Sequence, residues 1–299
     1  MEFSKRGLLS LLSITFLFSC RGKQTFSTAT DNNSLLWEIS GNGLTQPSYF
    51  LGTMHLMCAE DAILSTNTKG IIKQVSQVYL EVDMDNMGEL LSGMMDLNMK
   101  DGKTLNDILP PYEYEKVKTF FEQYQPNLPF SVLERQQPMM LASSLYELFL
   151  TCDKKNGIDL RVIDEASKQK KQTKGLETMD FQTSILDSIP YEEQATELAK
   201  TIDSIDKYKA SLDELVKVYK KQDIQKLHDL STKEDSGTGG YLDLLLYDRN
   251  RRWVEQFEKI SKENSTLYAV GAGHLGGDKG VINLLKQKGF TIRPIVNKD

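Results

Sequence analysis

The chain carries three histidines, and two of them sit in matched surroundings. Ser48-Tyr-Phe-Leu-Gly-Thr-Met-His-Leu56 and Leu267-Tyr-Ala-Val-Gly-Ala-Gly-His-Leu275 align without gaps, with Tyr, Gly, His and Leu at equivalent places. Each segment reads as a short apolar strand, then a glycine (Gly52 or Gly271) expected to turn the backbone sharply, then a histidine three residues on. Gly273, next to the second histidine, is a third loop glycine. A lone histidine after a strand is ordinarily structural, but two in matched settings point to one shared site where His55 and His274 meet. Neutral imidazoles there would hold a divalent metal or act as general bases. His228 lies in a Lys- and Asp-rich helical stretch and reads as solvated surface.

Carboxylates and an arginine extend the constellation. Glu81 interrupts an apolar strand, Val78 to Met84, on the same face as Tyr79 and Asp83. Glu177 follows Gly175 at the end of another short strand, Gln172 to Leu176. On this reading His55, Glu81, Glu177 and His274 all lie at or just beyond the carboxyl ends of strands, where ligands collect in open α/β sheets. Both carboxylates also have plain structural readings: a charge at a solvated strand end for Glu81, and a helix N-terminal carboxylate for Glu177. The helix expected over Tyr241 to Ser261 has an apolar stripe of Leu242, Leu245, Leu246, Trp253 and Phe257, and helical spacing puts Arg249 and Asn250 on that stripe. An arginine facing the interior needs a carboxylate, such as Glu81 or Glu177, or an anionic ligand to offset its desolvation. Arg251 and Arg252 fall off the stripe and should be solvated. Two imidazoles and a carboxylate suit Zn²⁺, Mn²⁺ or Co²⁺, with a position left for water whose pKa drops to about 7. The second carboxylate would shuttle protons and Arg249 would stabilise a developing oxyanion. Without a metal, one histidine oriented by Glu81 would activate water as a general base.

These residues need elements to hold them. The chain has 299 residues, 39% of them hydrophobic, enough for a sizeable core. With 36 basic against 42 acidic residues it is acidic, which gives no support to nucleic acid as a partner. There is no G-x-S-x-G elbow and no P-loop; Gly271 to Gly276 satisfies G-x-G-x-x-G but lacks the downstream βαβ unit and acid of a dinucleotide site. Lys5 and Arg6 precede an apolar run, Leu8 to Phe18, too short to span a bilayer, so residues 1–19 read as an export signal. Leu17-Phe18-Ser19-Cys20 resembles the lipobox of bacterial lipoproteins, whose cysteine receives diacylglycerol, so Cys20 is the expected site of acylation with palmitate-type chains; the alternative is an ordinary signal peptide with an incidental cysteine. Residues 20–34 then form a polar lipidated tether and 35–299 the folded domain. The expected place is the cell envelope, anchored to the outer membrane in preference to the inner. Strands alternating with helices at both ends indicate an α/β fold: a central mixed sheet from two related halves with paired GxxH motifs, plus a large helical insertion at about 100–240. Helices are expected over Ala59–Gln77, Pro111–Tyr124, Ser131–Leu150, Ile158–Lys170 and Met179 to about Leu230, with a break at Pro190.

The ordered series Leu36-Trp37-Glu38-Ile39, Leu51-Gly52-Thr53-Met54-His55, Tyr79-Leu80-Glu81-Val82-Asp83, Gly175-Leu176-Glu177-Thr178, Arg249-Asn250 and Gly271-Ala272-Gly273-His274-Leu275-Gly276-Gly277 resembles the TraB/GumN family, related to the Tiki proteases. The resemblance implies the Tiki-like GxxH fold, with Arg249 and Asn250 lining its pocket. Members are described as metal-dependent proteases, metal-independent esterases with a histidine base, haem binders or regulators, so it fixes fold better than reaction. Two classes follow: a lipid-anchored hydrolase acting on a peptide or small-molecule substrate, or a non-enzymatic haem- or metal-binding regulatory lipoprotein. With Cys20 lipidated, Cys58 and Cys152 remain as an even pair in an exported chain, either bridged or buried as free thiols.

Overall fold

A computed structural model describes residues 26–29, 33–84, 86, 88, 93, 97–233 and 240–299. The expected signal peptide 1–19 and Cys20 lie outside the described residues. The ordered chain opens with β1 (Leu36–Ser40) and β2 (Ser48–Thr53). A two-residue strand, β3 (Met57–Cys58), precedes α1 (Thr66–Gln74) and β4 (Gln77–Val82). The helix expected from Ala59 therefore starts later, where the Ser65 hydroxyl accepts the Thr68 N–H and caps it.

Helices follow: α2 (Leu105–Ile108), α3 (Pro111–Tyr124), α4 (Phe130–Leu133) and α5 (Pro138–Phe149). The single helix expected over Ser131–Leu150 is thus two, because Pro138 lacks an N–H and starts a new helix instead of continuing one. The chain returns through β5 (Lys155–Asn156), α6 (Ile158–Lys168) and β6 (Gln172–Glu177). It then runs through α7 (Met179–Asp187), α8 (Tyr191–Asp203), α9 (Ile205–Lys221) and α10 (Ile224–Ser231). A π-helical turn, Asp243–Tyr247, interrupts the long helix expected from Tyr241 and leads into α11 (Asp248–Glu263). The chain closes with β7 (Thr266–Gly271), α12 (Val281–Gln287) and β8 (Thr291–Ile295).

Six strands form one mixed sheet in the order β6-β4-β7-β2-β1-β8. The first four run parallel, while β1 is antiparallel to both of its neighbours. Parallel strands need cover on both faces, and β2 is buried at every position. Ile71 and Ile72 of α1 and Val162 and Ala166 of α6 cover one face. Trp253 and Phe257 of α11 and Leu285 of α12 cover the other, where Phe50 stacks on Tyr268 at 4.9 Å. The helices between β4 and α11 build a separate core around Val117, Phe121, Leu141, Leu145 and Leu198. The span 100–240 is nevertheless not purely helical, since α6 and β6 rejoin the sheet within it. Within the stretch read as a tether, Phe26 is buried edge-on against Tyr49, and Ala29 donates its N–H to the Pro294 carbonyl of β8.

Cys58 and Cys152 are joined by a disulfide with Cα atoms 5.8 Å apart. The bridge lies beside the β3–β5 ladder and fastens the end of the helical region to the loop that carries His55. Cross-linking residues this far apart in sequence stabilises by about 2–4 kcal/mol. In the denatured, unreduced chain both cysteines should therefore resist alkylation, and Cys152→Ser should lower stability by about that amount. Two reactive thiols by mass spectrometry would contradict the bridge.

Candidate functional site

The parallel pairing of β2 with β7 sets Thr53 opposite Gly271, so both strands run out at one end of the sheet. His55 lies just beyond β2, and His274 ends a single 3-10 turn, Ala272–His274, after β7. A methyl group placed on Gly271 would sit 3.1 Å from Glu81 Oε1, 3.6 Å from His274 Cδ2 and 3.9 Å from His55 Nε2. Both imidazoles and one carboxylate thus border the same small space. Neither Gly52, Gly271 nor Gly273 takes a positive φ. The sharp turn expected of them is not their contribution; Gly271 leaves that space open, and Gly52 lets Leu275 approach to within 2.8 Å of where a Cβ would be.

Each ring is held by its Nδ1. His55 Nδ1 lies 2.9 Å from Asp159 Oδ2, while Asp159 Oδ1 accepts the Thr53 hydroxyl at 2.8 Å. Asp159 sits in the first turn of α6, whose N-terminus is drawn onto the histidine loop by the Ile158 N–H donating to the Met54 carbonyl at 3.0 Å. Gly157 makes that approach possible, because any side chain there would collide with the His55 carbonyl. His274 Nδ1 lies 2.6 Å from Asn250 Oδ1. Asn250 Nδ2 donates to the Lys279 carbonyl at 2.9 Å, which fixes the amide so that its oxygen faces the ring. An amide oxygen only accepts, so His274 carries its proton on Nδ1 and keeps a lone pair on Nε2.

The two rings are charged differently. The hydrogen bond that His55 donates to Asp159 holds the histidine's pKa above its usual range, and the His55 side chain is 67% exposed. Burial, opposed by Glu81, drives His274 down to about 3, so it is neutral. His274 packs against Trp253 with ring centres 4.4 Å apart and planes tilted by 41°.

Arg249 joins the carboxylates. Its Nη2 donates to Glu81 Oε2 at 2.5 Å and lies 2.9 Å from Glu177 Oε2; its Nε donates to Glu177 Oε2 at 3.0 Å. Nη1 donates to the Leu245 carbonyl at 3.1 Å and stands 3.4 Å from His274 Nε2. Each nitrogen of this guanidinium has an acceptor, so Arg249 pairs with both glutamates rather than waiting for an anionic ligand. Burial alone would raise the Glu81 pKa; Arg249, with His55 and the Gly271 N–H, holds it well below the carboxylate range. Glu81 and Glu177 are both buried, so neither is a solvated strand-end or helix-end charge. Arg251 and Arg252 are exposed, Arg252 lying over the Phe181 ring at 3.9 Å.

Three residues here escaped the sequence reading. Asp159 shares the apolar stripe of α6 with Val162 and Ala166, the same kind of signal that exposed Arg249. Gln182 bridges Glu81 and Glu177, donating at 3.3 and 3.2 Å. His228 is not solvated surface but buried, on a stripe with Ile224 and Leu227 that packs beneath Gly276 and Gly277.

Among the described residues, no three His, Cys, Asp or Glu side chains close to ligating positions. His274 Nε2 and Glu81 Oε1 are 3.9 Å apart, against about 3.3 Å for two donors each about 2 Å from one tetrahedral ion. By donor type, two imidazoles and an ionised carboxylate suit a divalent ion such as Zn²⁺, Mn²⁺ or Co²⁺, while the side chains as placed do not close on one ligating position. Removing Arg249 would strand two buried carboxylates. Arg249→Ala should cost roughly 3–5 kcal/mol in denaturant unfolding, and Arg252→Ala no more than about 0.5. Equal losses would contradict the buried clamp.

The sequence model of the TraB/PrgY/gumN family matches residues 35–294. Metalloprotease TIKI1 of Danio rerio is 24% identical over 323 aligned positions, covering 91% of this chain and 65% of its own length. Metalloprotease TIKI1 of Homo sapiens is 24% identical over 316 positions, covering 87% of this chain and 61% of its own length. A Metalloprotease TIKI homolog of Nematostella vectensis is 21% identical, covering 87% and 66%. The chain thus spans from 61% to 66% of these relatives' lengths. No solved structure matches. The extent of the family match, which takes in every strand of the sheet and both histidines, places this chain in the TraB/PrgY/gumN family.

Proposed function

We propose that the protein is an exported, lipid-anchored hydrolase that cuts peptides, with a divalent ion held by His55, His274 and Glu81. The observation that carries this reading is the convergence of both histidines and Glu81 on the space before Gly271. The relatives named metalloproteases support the reaction class. A bound ion would supply Lewis acidity and water activation near neutral pH. This chain's residues do the rest. Asp159 and Asn250 anchor the rings by Nδ1, fixing the direction of Nε2. Glu81 stays ionised, its Oε2 on Arg249 and its Oε1 toward His274. Glu177 holds Arg249 from the other side and so positions it rather than moving protons. With His274 Nε2 engaged, the Nη1 hydrogen that faces it is left for a developing oxyanion. His55, the exposed member, marks the side from which substrate enters. A haem between the histidines has little support, since the His274 ring is buried against Trp253. The paired strand-Gly-x-x-His segments are read as related copies on adjacent strands.

One contact favours a second reading. The His55–Asp159 pair is a general-base arrangement, with Asp159 in the orienting role expected of Glu81; because Asp159 raises the His55 pKa to about 9, the pair would hydrolyse without metal only at alkaline pH, where the ring loses its proton. Cleavage of a peptide library before and after chelation separates the two. Chelation should lower the rate by on the order of a hundredfold, and Zn²⁺, Mn²⁺ or Co²⁺ should restore it. His274→Ala should lose the bound ion. Undiminished cleavage by metal-free protein, abolished by Asp159→Ala, would overturn the metal reading.

Anchoring rests on Leu17-Phe18-Ser19-Cys20 and the basic and apolar stretch before it. The acylated Cys20 would hold the domain at the cell envelope, on the outer membrane in preference to the inner. Cys20→Ser should abolish palmitate labelling and release the protein from membranes. Unchanged fractionation would refute the anchor.

A further inference from the structure

A cleft of about 560 Å³ opens between α5, α8 and the π-helical turn, beside the histidine site rather than within it. That volume is in the range of ligand-binding clefts, about 300–1,000 Å³. Tyr146, Tyr208 and Leu245 give it an aromatic and aliphatic lining. Glu192, Glu193 and Glu197 line it from α8, with Lys200. Glu197 pairs with Lys200 at 2.6 Å, and Glu192 approaches Lys103 at 3.4 Å. Glu193 accepts the Tyr241 hydroxyl, a neutral partner, at 2.9 Å. The lining is therefore apolar with a net negative edge, which suits an occupant that is both apolar and cationic.

The cleft also adjoins the site covalently. Leu245 lines the cleft, while its carbonyl accepts from Arg249 Nη1 at 3.1 Å. One helical turn, about 5.4 Å, separates Leu245 from Arg249. An extended peptide advances about 3.3 Å per residue, so a chain lying at the histidines covers such a step in a few residues.

We propose that this cleft is a subsite for a polypeptide segment in which a large apolar side chain is flanked by lysine or arginine. The proposal rests on the peptide-hydrolase reading and deepens it by naming which peptides the site takes. The apolar side chain enters between Tyr146, Tyr208 and Leu245, and the cation meets Glu193 and Glu192.

Fluorescence anisotropy on the full mature chain tests this with three labelled peptides: one containing Arg-Phe, one with the arginine replaced by glutamine, and one with the phenylalanine replaced by serine. The first should bind about tenfold more tightly than either other, and its affinity should fall with added salt. Glu192→Gln with Glu193→Gln, both at exposed positions, should erase the preference for arginine while leaving the glutamine peptide within about twofold. Ala142→Trp, which fills the cleft, should weaken all three; if that variant fails to fold, the glutamine pair still decides. Equal binding of the three peptides, or an arginine preference that survives the glutamine pair, overturns the proposal. Selective binding without cleavage by the metal-loaded protein would sink the hydrolase reading and support the subsite. Cleavage indifferent to both arginine and phenylalanine would do the reverse.

Discussion

The rest of the site depends on a cation buried between two anions. Arg249, Glu81 and Glu177 have side chains only 12%, 11% and 3% exposed, so each charge has given up most of its hydration. Such a group is tolerable only when nearly every donor and acceptor is matched, and here the guanidinium spends its donors on both carboxylates, the Leu245 carbonyl and His274. The three residues come from α11, β4 and β6. Their pairing therefore fixes how the helix layer sits on the sheet, and with it Asn250, the next residue along, against His274.

Sheet order does the remaining placement. With β7 between β4 and β2, the carboxyl ends of three adjacent parallel strands deliver Glu81, His274 and His55 to one edge, and β6 adds Glu177 beside Glu81. The two Gly-x-x-His segments are not strictly level: Tyr49 lies opposite Leu267 rather than Tyr268, so the copies are one residue out of register. That offset, with the 3-10 turn after β7, carries His274 into the buried side and leaves His55 at the rim.

Most of this was legible wherever a periodicity was broken by a residue of the wrong type. Arg249 and Asn250 stood out because helical spacing put them among leucines and aromatics, and Glu81 because it interrupted an apolar strand. The glycines drew attention correctly but for the wrong reason: sequence suggests a turn, whereas the need is for space, which only the neighbours reveal. Asp159 and His228 were readable by the same stripe argument, since helical spacing sets Asp159 with Val162 and Ala166 and His228 with Ile224 and Leu227. Gln182 was not legible, since its role exists only once β4 and β6 lie side by side. The breaks at Pro138 and at the π turn show the other limit. A proline announces a boundary, but nothing local in Asp243–Tyr247 announces an extra residue in the turn.

The unequal anchoring of the two histidines follows from Arg249. A carboxylate in place of the Asn250 amide would draw a second proton onto His274, setting an imidazolium 3.4 Å from the guanidinium in a dry environment. The neutral amide avoids this: it fixes the tautomer without changing the charge, and burial then keeps His274 uncharged. His55 is under no such restriction, because it faces solvent and can take Asp159 as its partner. Three carboxylates, Glu81, Glu177 and Asp159, are thereby balanced by Arg249 and a protonated His55, which leaves the constellation one negative charge in excess. That excess of negative charge is the electrostatic setting in which His55, His274 and Glu81 would favour a divalent cation, which would supply Lewis acidity there.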